Sequence, residues 1–178
     1  MKRKITELVL ILLFYLIQGT CGRIIEIGSI APNLLIVLPV LFGFFKGKNE
    51  GMFVGFFAGI MYDLYFSSLF GFSSLVFVYI GYFSGVFYQK YEETEILVPL
   101  AIMVLSDFVF EFLSYVGNFL LHNRLNIGFF MSKFILPEVV YTLLVFMIVY
   151  YPVFRLNAVF DRSRKDKRSK SNLDERNI

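Results

Sequence analysis

Several carboxylate side chains in this sequence lie inside apolar stretches, where a charged group would not be solvated by water. Asp107, Glu111, Ser114 and Asn118 follow one another at i, i+4, i+7 and i+11. This spacing places all four residues on one side of a helix. Carboxylates inside a lipid bilayer are costly and usually face the interior of a bundle or a water-filled cavity. The chemistry open to them is a hydrogen-bonded network, a pocket for a cationic or polar ligand, or a proton relay.

Two further acidic residues extend this polar group. Asp63 ends the third apolar stretch, and Glu138 begins the last one. The predicted intramembrane polar cluster therefore comprises Asp63, Asp107, Glu111, Ser114, Asn118 and Glu138. Candidate counter-charges come from the predicted outer loops: Arg23, His122, Arg124 and Lys133. A proton relay usually continues through both halves of the membrane, but the inner half offers only Glu7, so a relay ranks last. We rank a structural network first and a ligand pocket second.

A stripe of small residues precedes the first of these carboxylates. Gly51, Gly55, Gly59 and Asp63 are spaced by four, so they lie near one face of a helix. Small residues at this spacing let the backbone of a neighbouring helix approach closely in a membrane. The stripe predicts packing within the chain, and a contact surface for another protein is the alternative.

The sequence does not favour enzyme chemistry. The chain has one histidine and one cysteine, which excludes a metal site built from several histidines or thiolates. It contains no G-x-S-x-G or P-loop pattern. We therefore predict a protein that is not an enzyme and that needs no metal or cofactor. Active transport would require a separate energising subunit.

The composition makes the lipid bilayer the solvent for the fold. Hydrophobic residues are 57% of the 178 residues and charged residues 17%, and the mean hydropathy is +0.68. Backbone groups in hydrocarbon must be paired within the chain, so the spans should be helices. The prediction is an all-α membrane protein with six transmembrane helices in one bundle. The spans are Ile5–Cys21, Ala31–Phe45, Gly51–Phe66, Gly71–Tyr88, Ile96–Leu121 and Phe134–Phe154.

Basic residues define the predicted orientation. With six spans, 14 of the 17 Lys and Arg residues fall on the side that carries both termini. Cytoplasmic loops are enriched in Lys and Arg, so both termini are predicted to be cytoplasmic. We divide the chain into a transmembrane domain, 1–156, and a basic, disordered cytoplasmic tail, 157–178. The tail residues predicted to contact anionic lipid, in preference to nucleic acid, are Arg162, Arg164, Lys165, Lys167, Arg168 and Lys170.

Several of these features occur together in one known family. The segment Pro32-Asn33-Leu34-Leu35, the glycine stripe with Asp63, Gly71, and Pro137-Glu138-Val139-Val140-Tyr141 follow in order along the chain. In this order and spacing the sequence resembles the MreD family of bacterial rod-shape-determining proteins, across Ile5 to Leu156. Members often have Asp where Asn33 stands. The resemblance implies a role in helix packing or partner contact for six residues: Gly51, Gly55, Gly59, Asp63, Pro32 and Asn33.

The resemblance implies a function, partners and a fold. It implies a non-enzymatic scaffold or regulator of the cell-elongation machinery in the bacterial plasma membrane, which acts by docking a bitopic MreC-like protein. Through that protein it would reach MreB, RodA and a penicillin-binding transpeptidase, and so guide peptidoglycan synthesis. It also implies a six-helix fold similar to the substrate-binding subunits of energy-coupling-factor vitamin transporters. Such a transporter subunit is the alternative function, although the first span lacks the small-residue motif with which many of them meet their energising partner.

Overall fold

The chain is all-helical where its structure is described. A computed structural model describes residues 2–25, 30–66, 70–88, 96–122 and 131–174, and these contain no β-strand. They form six α-helices, and a π-helical turn at Met131–Ile135 leads directly into the last one. The helices are α1 (Lys2–Ile25), α2 (Leu34–Lys46), α3 (Lys48–Tyr65), α4 (Phe72–Val86), α5 (Leu97–His122) and α6 (Leu136–Asp174). The prediction of an all-α chain is confirmed.

Helix α2 lies at the centre of the fold. Every residue from Leu34 to Phe45 is buried, which fits a segment that is apolar all round and must be enclosed on all sides. Gly47 ends α2 with a φ angle of 91°, a backbone conformation that residues other than glycine rarely adopt. Because α3 begins at the next residue, this one glycine makes the whole reversal between the two helices.

Aromatic side chains fill the interior between the helices. Phe45, Phe77, Phe110 and Phe146, from α2, α4, α5 and α6, are the largest fully buried side chains. The rings of Phe77 and Phe110 lie 5.0 Å apart between centroids, within the range in which aromatic pairs attract one another. The hydrophobic core is therefore a single cluster to which these four helices contribute.

The outer surface of the helices is apolar as well. Ile5 on α1, Leu97 on α5 and Ile148 on α6 are each at least 60% exposed. Many other large apolar side chains are exposed on these helices as well, which is suited to contact with lipid. Two helical segments in the described ranges are long and apolar enough to cross a membrane, Leu97–Gly117 and Leu136–Arg155, whereas α2 and α4 are apolar but shorter.

The last helix extends beyond the predicted final span. Helix α6 continues on the backbone to Asp174, and the prediction of a disordered tail stays a prediction. Acidic residues stand four positions before basic ones at Asp161 with Lys165 and at Asp166 with Lys170, and this spacing supports a helix in a polar segment. The division of the chain into a domain and a tail at residue 156 stays a prediction.

Candidate functional site

Asp63 caps the start of α4. Its carboxylate accepts three backbone hydrogen bonds, from Gly71 N to Oδ2 (2.9 Å), Ser74 N to Oδ2 (3.1 Å) and Ser73 N to Oδ1 (3.1 Å). The first N–H groups of a helix have no partner inside the helix, and the positive end of its dipole favours an anion. Asp63 is 4% exposed, so these hydrogen bonds are shielded from solvent. The carboxylate therefore serves to join α3 to α4.

The glycine stripe lies against the backbone of α4. A methyl group added at Gly51 would overlap the carbonyl oxygen of Gly81, and one added at Gly55 would overlap the carbonyl oxygen of Phe77. At Gly59 it would overlap the Cα atom of Ser74. The absence of side chains therefore allows the two helices to approach until their backbones are in contact, as small residues do in membrane helices.

Sequence reasoning missed the residues on α4 that complete this contact. Gly81 and Gly85 are the reciprocal positions, since methyl groups there would overlap Gly51 and Lys48. Ser84 Oγ donates to the carbonyl oxygen of Val40 on α2, at 2.6 Å. The signal was present, because Gly81 and Gly85 are also spaced by four.

Asn33 and Pro32 lie where α1, α2 and α6 meet. Pro32 is buried. Asn33 caps α2, with its Oδ1 accepting from Ile36 N at 3.3 Å. Its backbone N–H donates to Thr142 Oγ1 on α6, at 3.1 Å. These bonds tie the start of α2 to α6.

A glutamine that the sequence did not single out ties α1 to the same point. Gln18 Oε1 accepts from the backbone N–H groups of Leu34 (3.0 Å) and Leu35 (3.2 Å). Both N–H groups belong to the first turn of α2 and would otherwise have no partner in the helix. Gln18 is 7% exposed, so water cannot replace it.

Replacing this side chain tests the link. Gln18→Leu should leave two buried N–H donors unsatisfied, at about 1–3 kcal/mol each, and so lower the unfolding temperature of the purified protein in detergent. Thr20→Ala, at an exposed position two residues away, should change it little. Equal unfolding temperatures for the two variants would contradict this role for Gln18.

Three of the predicted carboxylates meet between α5 and α6. Asp107 and Glu111 on α5 are in electrostatic contact with Glu138 on α6. The carboxyl groups of Glu111 and Glu138 lie within hydrogen-bonding reach of each other. Two carboxylate anions cannot share a hydrogen bond, because neither has a proton to donate. A hydrogen bond between them therefore requires that one of the two is protonated.

Tyr62 on α3 borders the cluster and was not predicted. It is in electrostatic contact with all four predicted carboxyl groups: Glu111, Glu138, Asp107 and Asp63. Its ring packs against Phe110, with 5.4 Å between centroids. A tyrosine hydroxyl can both donate and accept a hydrogen bond, which suits a position among carboxyl groups.

For Ser114, Asn118 and the predicted counter-charges, no contact with these carboxyl groups is described. Ser114 is half-buried on α5. The side chain of Asn118 lies outside the described residues, as do those of Arg23, His122 and Arg124. Of the predicted counter-charges, only Lys133 has a described side chain, and it is exposed. The six basic tail residues from Arg162 to Lys170 are placed on helical backbone, but their side chains also lie outside the described part.

An ion pair between α1 and α3 lies at the other end of the molecule. Lys4 Nζ is paired with Glu50 and lies 3.5 Å from Oε2 of Glu7, which is 2% exposed. The same ammonium group sits 3.7 Å from the ring centroid of Phe53, a cation–π contact. Sequence reasoning used Lys4 only as a marker of orientation and considered Glu7 only as a possible member of a relay.

Together, these features describe an all-helical protein with an apolar exterior, suited to lipid, and a polar interior that links its helices. A family model described as rod shape-determining protein MreD matches residues 1–159. The chain therefore belongs to the MreD family, as its sequence motifs indicated, and its role is in bacterial rod shape determination at the membrane. No curated protein and no solved structure matches the chain.

Proposed function

We propose that this chain is a non-enzymatic scaffold or regulator of the cell-elongation machinery. It docks a bitopic MreC-like partner in the bacterial plasma membrane and, through that partner, acts on MreB, RodA and a penicillin-binding transpeptidase, and so guides peptidoglycan synthesis. The family match over residues 1–159 carries this proposal. The observed cluster of carboxyl groups serves as a structural network rather than as a catalytic centre.

The proposal includes six spans in one bundle. Helix α2 has 13 residues and at 1.5 Å per residue measures about 20 Å, less than the roughly 30 Å of a hydrocarbon core. Its burial supports a span nonetheless, because the first N–H groups of α2 are bonded to Gln18 and Asn33 and its residues from Leu34 to Phe45 contact protein instead of lipid. A short helix inside a bundle need not match the membrane thickness by itself.

The packing limits where the partner can dock. The face of α3 that carries Gly51, Gly55 and Gly59 is occupied by α4. We therefore assign the stripe to packing within the chain and the partner's helix to an outward apolar face. The basic residues of the tail add an attraction to anionic lipid, worth about 1 kcal/mol for each Lys or Arg near the surface.

Depletion of the protein tests this function. Rod-shaped cells should become round when the chain is depleted, and the purified protein should capture an MreC-like bitopic protein. The alternative, a vitamin-transporter subunit, predicts instead a growth requirement for a vitamin and co-purification with an ATPase module. Normal cell shape after complete depletion, together with loss of vitamin uptake, would refute the scaffold and support the transporter.

Orientation can be tested by labelling single cysteines in intact cells, after Cys21 has been replaced. Because 14 of the 17 basic residues define the cytoplasmic side, a cysteine at Asn49, which is exposed in the first turn of α3, should resist an impermeant reagent. A cysteine at Asn123 should react with it. The reverse pattern would invert the assigned topology.

A further inference from the structure

A proline inside α6 deprives one backbone carbonyl of its usual partner. Pro152 lies within this helix and has no backbone N–H, so the carbonyl oxygen of Ile148, four residues earlier, cannot form the regular helical hydrogen bond. Ile148 belongs to the apolar segment Leu136–Arg155 and lies about 10 Å along the helix from Arg155, at 1.5 Å per residue. With this segment spanning the bilayer, the carbonyl lies in hydrocarbon, where an unsatisfied backbone group is strongly unfavourable.

The same stretch of α6 offers no side chain to replace the missing donor. In membrane helices, serine and threonine side chains can bond to a carbonyl that a proline has freed, but residues 143–154 contain neither. The two polar side chains on this face, Tyr151 and Arg155, are paired with each other, since the tyrosine hydroxyl accepts from Arg155 Nε at 2.9 Å. The donor for the carbonyl of Ile148 must therefore come from outside this stretch.

The freed carbonyl lies on the side of α6 that faces away from the rest of the described chain. Ile148 is 74% exposed, and Pro152 is exposed as well. The opposite side of the helix is buried, and there Tyr150 packs against Phe45 of α2 with 5.4 Å between ring centroids. Neighbouring helices commonly satisfy the groups that a proline frees in a membrane. For Ile148 such a neighbour has to belong to a second molecule.

The surface around this carbonyl has the spacing of a contact between two helices. Four large side chains follow one another at steps of four, three and four residues, and each is at least 49% exposed: Val140, Leu144, Met147 and Tyr151. Alternate steps of three and four residues are typical of helices that pack along one another over several turns. A water molecule is poorly suited to this place, because a bound water needs about two to four polar partners.

We propose that this face of α6 binds the single transmembrane helix of the bitopic partner, through one donor side chain that bonds to the carbonyl oxygen of Ile148. The donor is a serine, threonine, asparagine or glutamine, since these side chains form hydrogen bonds between helices in membranes. A bitopic protein crosses the membrane once, so it brings one helix to a stripe that is one helix wide. This inference rests on the docking function proposed above and assigns that function to a surface.

Photo-crosslinking in intact membranes tests the surface. The full-length chain is co-expressed with the tagged MreC-like protein of the same organism, and a photoreactive phenylalanine analogue is placed at position 148. Illumination should join the chain to the tagged partner. The matched control carries the analogue at position 75, because Leu75 on α4 is also an exposed apolar residue, at 58%, and this variant should give no such product.

Pro152→Ala tests the hydrogen bond itself. Alanine restores the N–H group and gives the carbonyl of Ile148 a partner within the helix, so the unfolding temperature of the chain alone should rise. Its affinity for the partner, measured in lipid bilayers by energy transfer between fluorescent labels, should fall by about threefold to tenfold, as for one hydrogen bond between membrane helices. A variant that misfolds would instead lose both stability and affinity.

The outcomes separate this surface from the docking function. Absence of any complex between the wild-type chain and the MreC-like protein would contradict the docking function itself. A complex that cross-links from position 75 and not from position 148, or that Pro152→Ala leaves equally tight, would overturn the assignment of this face alone. Cross-linking from position 148 only to a second copy of the chain, or only to lipid, would overturn it too.

Discussion

Gly55→Ala is expected to lower the unfolding temperature of the purified protein. Replacing glycine by alanine in the interior of an ordinary helix stabilises it by about 0.5–1 kcal/mol. Here the added methyl group would overlap the carbonyl oxygen of Phe77 on α4, and this contact is with backbone, which cannot rotate away. Overpacking of this kind costs about 1–3 kcal/mol, so the net effect should be destabilising.

Gly19→Ala provides the control for this prediction. Gly19 also lies within a helix, but a methyl group added there meets no atom within 4 Å. It should therefore leave the unfolding temperature unchanged or raise it. Thermal unfolding of both variants in the same detergent makes the comparison. If both substitutions raise the temperature equally, the close approach of α3 and α4 does not exist in the protein.

Periodicity along one helix was enough to predict which residues share a face, but not what that face contacts. The spacing by four of Gly51, Gly55 and Gly59 indicated close packing, while the identity of the neighbour, α4, depends on the path of the chain between helices. Ala58 shows the limit of this reasoning. It lies off the stripe, yet it is fully buried, because α3 is enclosed on more than one side.

The polar residues show the same limit for charges. Asp107 and Glu111 were predicted to share a side of α5, and the structure brings Glu138 of α6 to them. Asp63 was assigned to the same cluster from its depth along α3. Its hydrogen-bond partners are the backbone N–H groups of residues 71, 73 and 74, and it shares the neighbouring Tyr62 with the other three carboxyl groups. A hydrophobic pattern predicts how deep in the membrane a carboxylate lies. It does not show which backbone N–H groups the carboxylate will bind, because every residue except proline has such a group.

The assignment of Asp63 to the start of α4 changes what a conservative substitution should do. Asp63→Asn keeps the shape of the side chain but has only one oxygen to accept hydrogen bonds, while its amide group is a donor. The carboxylate uses both oxygens, with Oδ1 accepting from Ser73 N and Oδ2 from Gly71 N and Ser74 N. In the variant, an amide N–H₂ group must therefore face at least one backbone N–H group.

Asp63→Asn is thus expected to destabilise the protein by about 1–3 kcal/mol for each buried donor left without an acceptor. Loss of the negative charge at the start of α4 adds about 0.3–1 kcal/mol. Thr20→Ala, at an exposed position, is the control. Thermal unfolding should therefore show a lower temperature for Asp63→Asn and an unchanged one for Thr20→Ala. An unchanged unfolding temperature for Asp63→Asn would mean that α4 does not depend on the carboxylate, and that the contact between α3 and α4 rests on the glycine stripe.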